Sequence, residues 1–196
     1  MSGDPDSLVK AIFNNTIAAH ARFADRGLPS IVAAAQAISR ALGSGRKLLA
    51  FGNGGSAGDA EHLVADLVGR FEVERRALPA VSLTCDPSVV TAIANDYDYA
   101  QVFAKQVQAL GKPEDIAIAI STSGNSPNVL AAIEACKKLN ISTIGLTGGS
   151  GGKMIGKVDY MLCVTEGKNS PRIQETHILV GHVICDIVDQ KLFPGI

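Results

Sequence analysis

The sequence predicts an α/β protein whose core is a doubly wound parallel sheet of five strands flanked by helices. Three observations support this class. Short, almost continuously apolar segments recur along the chain, helical segments separate them, and no Pro/Ser-rich linker interrupts the series. Strands that are apolar throughout are typical of a parallel sheet that is covered on both faces. The predicted strands are residues 47–51, 80–83, 116–120, 142–146 and 160–164.

Apolar residues at helical spacing predict the elements around these strands. Two N-terminal helices, over residues 7–23 and 31–42, precede the first strand with no strand between them, so this pair would pack as a hairpin or against another subunit. The other predicted helices are residues 57–68, 88–94 running on into 99–110, 127–139, and 173–192. We expect a single domain over residues 1–196, with the helical pair in 1–44 and the α/β core with its C-terminal helix in 45–196.

Composition favours a well-buried core and argues against several classes of partner. An apolar share of 46% beside a charged share of 19% argues against disorder. The formal net charge is −1 and no basic run exceeds two residues, so we expect no binding to nucleic acid or to membranes. No segment resembles a signal peptide, and none reaches the ~18 apolar residues that span a bilayer. The four cysteines lack C-x-x-C pairing, as expected of reduced thiols in a cytoplasmic protein.

A glycine-rich turn follows the first predicted strand and opens a predicted helix. In this turn, Gly52-Asn53-Gly54-Gly55-Ser56, unpaired backbone N–H groups and the helix dipole favour an anion. The pattern matches neither the G-x-G-x-x-G dinucleotide fingerprint nor a Walker motif with its lysine. By itself, such a turn is a general anion site and does not identify the ligand.

Histidines on two predicted helices are candidates for metal or proton chemistry. His62 and Asp66 are four residues apart, so both side chains project from one face of their helix. They could form a surface pair worth roughly 0.2–0.5 kcal/mol, a pair of metal ligands or an acid–base pair. His182 lies in a mainly apolar stretch, where an unpaired imidazole would be costly, so it needs a partner. Gln174 lies on nearly the same face, but about 12 Å away along the helix.

A hydroxyl-rich loop follows the third predicted strand. Ser126 is a natural N-cap and Pro127 suits the first helical position, so a capped helix is one interpretation of this loop. It leaves unexplained the hydroxyls of Ser121, Thr122 and Ser123 at the carboxyl end of a strand. Hydroxyls and free amides at this density suit a phosphate monoester. Both loops are predicted where open α/β sheets bind their ligands.

Together, these segments resemble the phosphoheptose isomerase family of the sugar isomerase (SIS) domain group. The matching segments are Gly52-Asn53-Gly54-Gly55-Ser56-Ala57 with Asp59 and His62, Asn95-Asp96-Tyr97, residues 121–126, and Arg172-Ile173-Gln174-Glu175 with His182. They occur in order over nearly the whole chain. The resemblance implies the SIS fold and a homotetramer with intersubunit active sites and one zinc ion (Zn²⁺) per subunit.

The resemblance also implies a role for individual residues. The sugar-phosphate substrate would be held by Asn53, Gly54, Gly55, Asp66, Asn95, Asp96, Ser121, Thr122, Ser123, Ser126 and Gln174. Zinc would be held by His62, Asp66, Gln174 and His182. Asp66 and His182 would be the catalytic pair.

The implied reaction converts the ketose D-sedoheptulose 7-phosphate into the aldose D-glycero-D-manno-heptose 7-phosphate through a metal-stabilised enediol. It opens the ADP-heptose route to bacterial lipopolysaccharide or other surface glycans. One position departs from the family, which usually has glutamate where this chain has Asp66. Aspartate shortens the reach of the carboxylate by roughly 1.3–1.5 Å, a displacement that can cost about a hundredfold in rate.

Two alternatives come from other classes of protein. One is a SIS-type paralogue that binds the replication initiator protein, and the other is a phosphosugar sensor without catalysis. The paralogues lack the histidine that matches His182, so the presence of this residue favours an enzyme. Metal content and isomerase activity discriminate between the three interpretations.

Overall fold

The computed structural model describes residues 4–165 and 169–195. Its helices are α1 (Pro5–Gly43), α2 (Gly55–Val68), α3 (Pro87–Asp96), α4 (Val102–Leu110), α5 (Pro127–Lys138) and α6 (Ser170–Leu192). Its strands are β1 (Leu48–Gly52), β2 (Ala80–Ser82), β3 (Ile116–Ile120), β4 (Ser142–Gly148) and β5 (Tyr160–Val164). Short 3₁₀ turns lie at Tyr99–Gln101 and Gly152–Met154.

All five strands form one parallel sheet in the order β2-β1-β3-β4-β5, which confirms the predicted doubly wound architecture. From β1 the chain winds through α2 to β2, whereas from β3 it winds through α5 to β4 in the opposite direction. The direction therefore reverses between β1 and β3. Their registered ends, Gly52 opposite Ile120, bring the loops that follow these two strands side by side.

The central strands are apolar throughout because both of their faces are covered. Every residue of β1 and β3 is buried. Leu48 and Ala50 face a core formed with α1, α2 and α6, whereas Leu49 and Phe51 face a second core formed with α4 and α5. Helices thus pack on both faces of the sheet, as the continuous apolar pattern predicts. Across the described residues, no helix combines the length and the apolar character needed to cross a bilayer.

The N-terminal segment is one continuous helix, so the prediction of an N-terminal helical pair was wrong. Pro29 lies inside α1, where its missing N–H and its ring typically cost about 3 kcal/mol. A buried stripe that includes Phe23, Ile31 and Ile38 continues through this point. Full burial of a side chain of this size is worth about 1.5–3 kcal/mol. Packing on both sides of the proline therefore offsets its local cost.

The helix predicted to run from residues 88–94 into 99–110 is interrupted. Helix α3 ends at Asp96, and a 3₁₀ turn precedes α4. Asp98 starts this turn by accepting a hydrogen bond from the backbone N–H of Ala100 at 2.6 Å. Aspartate favours such local caps over a helix interior, and this preference explains the break.

His177 of α6 is buried in the core beneath the edge of the sheet that carries the two loops. Its Nε2 is 3.0 Å from the carbonyl oxygen of Thr147 in β4, so the neutral ring donates a hydrogen bond there. Its Nδ1 is buried and has no hydrogen-bond partner among the described residues. Burial disfavours the charged imidazole and lowers the pKa of His177 to about 4, against the weaker opposing effect of the Thr147 carbonyl.

We expect the stability of the protein to fall as the pH drops from about 6.5 to about 4. In that window the unfolded chain binds a proton at this histidine and the folded chain does not, so protonation favours unfolding. The depressed pKa corresponds to a loss of roughly 3 kcal/mol across the window. Urea unfolding at a series of pH values measures it, with His177→Gln as a variant that still donates to Thr147 but does not titrate. An equal pH dependence in both proteins would exclude His177 as the source.

Candidate active site

Two helices begin at the edge of the sheet where the winding direction reverses. Gly54 precedes α2 and Ser126 precedes α5, and neither helix has a side-chain hydrogen bond that caps its first turn. Pro127 has no N–H, and the N–H groups of Ser56 and Val129 already donate to Asn53 O and to Asn128 Oδ1, so the N–H groups of Gly55 and Asn128 are the ones that these helix starts offer to a ligand. With the positive ends of two helix dipoles, they make this edge suitable for an anion such as a phosphate.

The first loop depends on glycine for close backbone packing. A Cβ on Gly52 would lie 2.6 Å from the carbonyl oxygen of Ser56 and 2.9 Å from that of Ile120. Gly54 has a φ of +56°, in the region that side chains disfavour. These constraints let the backbone turn sharply from β1 into α2, which presents Asn53 and the start of α2 at the rim.

Asn128, which the sequence analysis missed, fixes the orientation of Asn53. The two side-chain amides exchange reciprocal hydrogen bonds of 2.8 Å, and the hydroxyl of Tyr99 donates to Asn53 Oδ1 at 3.1 Å. Asn128 is only 2% exposed, and its Oδ1 also accepts from the N–H of Val129. The pair ties the first loop to the start of α5. An asparagine at the second position of a predicted apolar helix was the available signal, although its partner lies 75 residues away.

The second loop places its hydroxyl groups as the sequence predicts, with one difference. Ser126 occupies the N-cap position and Pro127 the first helical position. The Ser126 hydroxyl, however, lies 3.0 Å from the hydroxyl of Ser121 and does not cap the helix. Ser123 Oγ accepts from the N–H of Asn125, and Ser123 is exposed. The capping interpretation therefore explains the position of Ser126 but not its contact.

Asn95 and Asp96 lie exposed at the C-terminal end of α3. The amide of Asn95 donates to the carboxylate of Asp96 at 2.8 Å. The 3₁₀ turn after α3 carries Tyr99, whose hydroxyl reaches Asn53 and so connects this segment to the first loop. A substrate contact at Asn95 and Asp96 stays a prediction.

His62, Asp66 and His182 come together although they lie on two helices. One ligand atom from each lies within 4.8 Å of the others. His62 Nε2 is 3.0 Å from His182 Nε2 and 3.5 Å from Asp66 Oδ2. The ring of Phe71 packs beside His182 with its centroid at 5.4 Å. His62 is thus the partner that His182 required, and the shorter carboxylate of Asp66 reaches the same group.

Two of the three separations in this group suit a zinc ion. Tetrahedral zinc with bonds of about 2.0–2.1 Å places neighbouring ligand atoms about 3.3–3.4 Å apart. The two contacts of His62 Nε2, at 3.0 Å and 3.5 Å, lie on either side of that separation. Asp66 Oδ2 is also buried without a hydrogen-bond partner among the described residues, and an unpaired buried carboxylate oxygen is costly. A cation bound by Asp66 and both histidines would remove this cost.

A cleft of about 530 Å³ lies between the first half of α2 and α6. Gly55, Asp59, His62 and Gln174 line it. Gln174 packs directly over Gly55, where a Cβ would overlap the amide of the glutamine. The Gln174 amide donates to Asp59 Oδ1 at 3.4 Å. Gln174 therefore lines the same cleft as His62. Its contact there is with Asp59, which lies one turn before His62 on α2.

Asp59 was quoted from the sequence only as part of a motif, and the structure gives it a place in this cleft. It is 8% exposed, and its Oδ2 has no hydrogen-bond partner among the described residues. Burial raises the pKa of its carboxyl group, while the hydrogen bond from Gln174 and the nearby His62 act in the opposite direction. Its spacing of three residues from His62, on one helix face, was a usable signal.

The fold and the site define a protein of the SIS domain class. The family model for the SIS domain matches residues 13–148, which include β1 to β4 and both loops. The match covers the parts of the chain from which the anion-binding edge is built.

Individual proteins narrow the assignment. The chain is 47% identical over 185 residues to the phosphoheptose isomerase of Thermodesulfovibrio yellowstonii, covering 94% of this chain and 92% of that protein. It is 52% identical over 165 residues to that of Roseiflexus sp., covering 84% and 83%. The solved structure of a phosphoheptose isomerase from Francisella tularensis superposes with a TM-score of 0.92 at 41% identity, covering 96% of this chain and 100% of that one. The chain belongs to the phosphoheptose isomerase family, and it is an aldose–ketose isomerase of phosphosugars.

Proposed function

We propose that the protein converts D-sedoheptulose 7-phosphate into D-glycero-D-manno-heptose 7-phosphate, the first step of ADP-heptose biosynthesis. The observation that carries this proposal is the group formed by His62, Asp66 and His182, next to an edge built for phosphate. A binding protein or sensor would need the phosphate site but not a base and metal ligands beside it. The relatives named phosphoheptose isomerase favour the heptose substrate over other phosphosugars.

In this proposal the phosphate binds where the two loops meet. The backbone N–H groups of Gly55 and Asn128, at the starts of α2 and α5, donate to its oxygens, as do the hydroxyls of Ser121, Thr122, Ser123 and Ser126. Asn53, held by Asn128, lies between the loops and contacts the sugar. Binding energy from the phosphate, which is remote from the reacting carbons, orients C1 and C2 and offsets the cost of opening the sugar ring.

His62, Asp66 and His182 would hold one zinc ion, with Gln174 as the predicted fourth ligand. When bound, zinc supplies a Lewis acid that stabilises negative charge on the substrate oxygens O1 and O2. Gln174 contacts Asp59 in the structure, so in this proposal its amide oxygen turns from the Asp59 side of the cleft towards His62.

Asp66 is the proposed base of the isomerisation. Its carboxylate removes a proton from C1, which the adjacent carbonyl makes weakly acidic, and returns it to C2 of the enediol. His182 moves the second proton between O1 and O2.

The proposal includes a cytoplasmic homotetramer with active sites at subunit interfaces. Its support is the first half of α1, which exposes Leu8, Val9, Ile12, Phe13 and Ile17. Five large apolar side chains on neighbouring turns of one helix form a patch of the kind that marks a protein interface. A second copy of the chain is the proposed cover.

One sample of the purified protein tests the proposed function. We expect about one zinc per subunit, a tetramer mass by analytical ultracentrifugation, and aldose product on incubation with sedoheptulose 7-phosphate. Unphosphorylated sedoheptulose is the matched control and should react much more slowly, because it lacks the group that the two loops bind. Protein without metal that forms no aldose product would contradict the proposal and favour a binding role.

A further inference from the structure

Arg75, in the segment between α2 and β2, is completely buried, with 0% of its side chain exposed. Its guanidinium group donates to the carbonyl oxygens of Asp66 at 2.8 Å and Leu67 at 2.9 Å. It also donates to Asp189 Oδ1 at 2.7 Å. One planar side chain thus contacts the last turn of α2 and the C-terminal half of α6.

The contacts at α2 compensate for an unfavourable arrangement of charge. The carbonyl groups at a helix C-terminus carry a partial negative charge, so an acidic residue there is destabilised. Helix α2 carries Asp66 in this region and has no basic residue in its last turn. Arg75 supplies the missing positive charge from outside the helix and binds the carbonyl of Asp66 itself.

The contact at α6 involves the helix that carries His182. Asp189 follows His182 by seven residues, which is close to two full turns, so both lie on one side of α6. The Arg75 guanidinium therefore bridges the last turn of α2 and this side of α6. The same two elements carry Asp66, whose own carbonyl oxygen Arg75 binds, and His182, which lies two turns before Asp189.

We propose that Arg75, anchored by Asp189, is a positioning residue that sets the separation between Asp66 and His182. The inference rests on the proposed metal site, whose ligands come from both helices. A plain structural ion pair is the competing explanation, and it predicts that replacing one partner lowers stability without a specific loss of zinc affinity. Groups that orient metal ligands typically change metal affinity by about 10–100-fold when they are replaced.

Arg75→Lys tests the proposal, because lysine keeps the charge but cannot reach Asp189 and two carbonyl groups at once. Asp189→Asn is a milder second variant that retains an acceptor for Arg75. The matched control is Arg70→Lys, in the exposed Arg70–Glu74 pair of the same segment. Zinc affinity is measured by competition with a chromogenic chelator, at a temperature where circular dichroism shows every variant folded. Turnover of sedoheptulose 7-phosphate gives kcat and KM.

We expect zinc affinity to fall about 10–100-fold in Arg75→Lys and less in Asp189→Asn, with a lower kcat, little change in KM, and no change in the control. Unchanged zinc affinity and kcat in folded Arg75→Lys, even with a lower unfolding temperature, would overturn the positioning role. If the wild-type protein binds no zinc and forms no product, the proposed function itself fails, and the inference fails with it. The wild-type measurement therefore separates the two failures.

Discussion

Replacing Asp66 by asparagine is expected to lower kcat by about 10²–10⁴-fold, the range that a general base contributes. The amide cannot accept a proton from C1, and it is a poorer ligand than a carboxylate. The change is nearly isosteric, so packing around α2 should be preserved. Affinity for the phosphate end of the substrate should be retained, because the loops that bind it do not involve Asp66.

Turnover and substrate affinity, measured separately, check this prediction. Isothermal titration with a non-reacting sugar phosphate reports binding, and aldose formation reports catalysis. The control is Asp66→Glu, which keeps the carboxylate on a side chain that is one methylene longer. We expect this variant to retain far more activity than Asp66→Asn. Turnover like that of the wild type in Asp66→Asn would remove Asp66 from the role of base.

The sheet could be predicted from the sequence because its signal is local. Continuous apolar runs such as Ile116–Ile120 are typical of strands whose two faces are both covered, and all five predicted strands are present. The two loops could also be predicted, since glycines and hydroxyls at the ends of parallel strands meet at one edge. The continuity of α1 across Pro29 could not be predicted, because it depends on the burial of α1 against other elements of the fold.

The residues missed at the site act through contacts that are distant in sequence. Asn128 holds Asn53 across 75 residues, and Arg75 holds Asp189 across 114. In the sequence, Arg75 is one of two adjacent arginines in a polar stretch, and nothing there distinguishes it from a solvated charge. Periodicity could place His62 and Asp66 on one face, but only the packing of α6 against α2 shows which histidine meets them.

Removal of the proposed zinc ion is the second change with a large expected effect. Treatment with a strong chelator should abolish turnover, and added zinc should restore it. A ligand that binds only the folded state stabilises it by about 2.7 kcal/mol at a hundred times its Kd. For a chain of this size, we therefore expect zinc to raise the unfolding temperature by about 5–10 °C.

The histidine variants show whether that shift comes from the proposed site. His62→Ala removes the residue that contacts both other members of the group, so zinc should no longer raise its unfolding temperature. His20→Ala, in a histidine of α1 that is not part of the group, is the matched control and should keep the full shift. An equal zinc response in the two variants would place the metal elsewhere. Such a result would leave Asp66 Oδ2, buried and without a hydrogen-bond partner among the described residues, in need of another explanation.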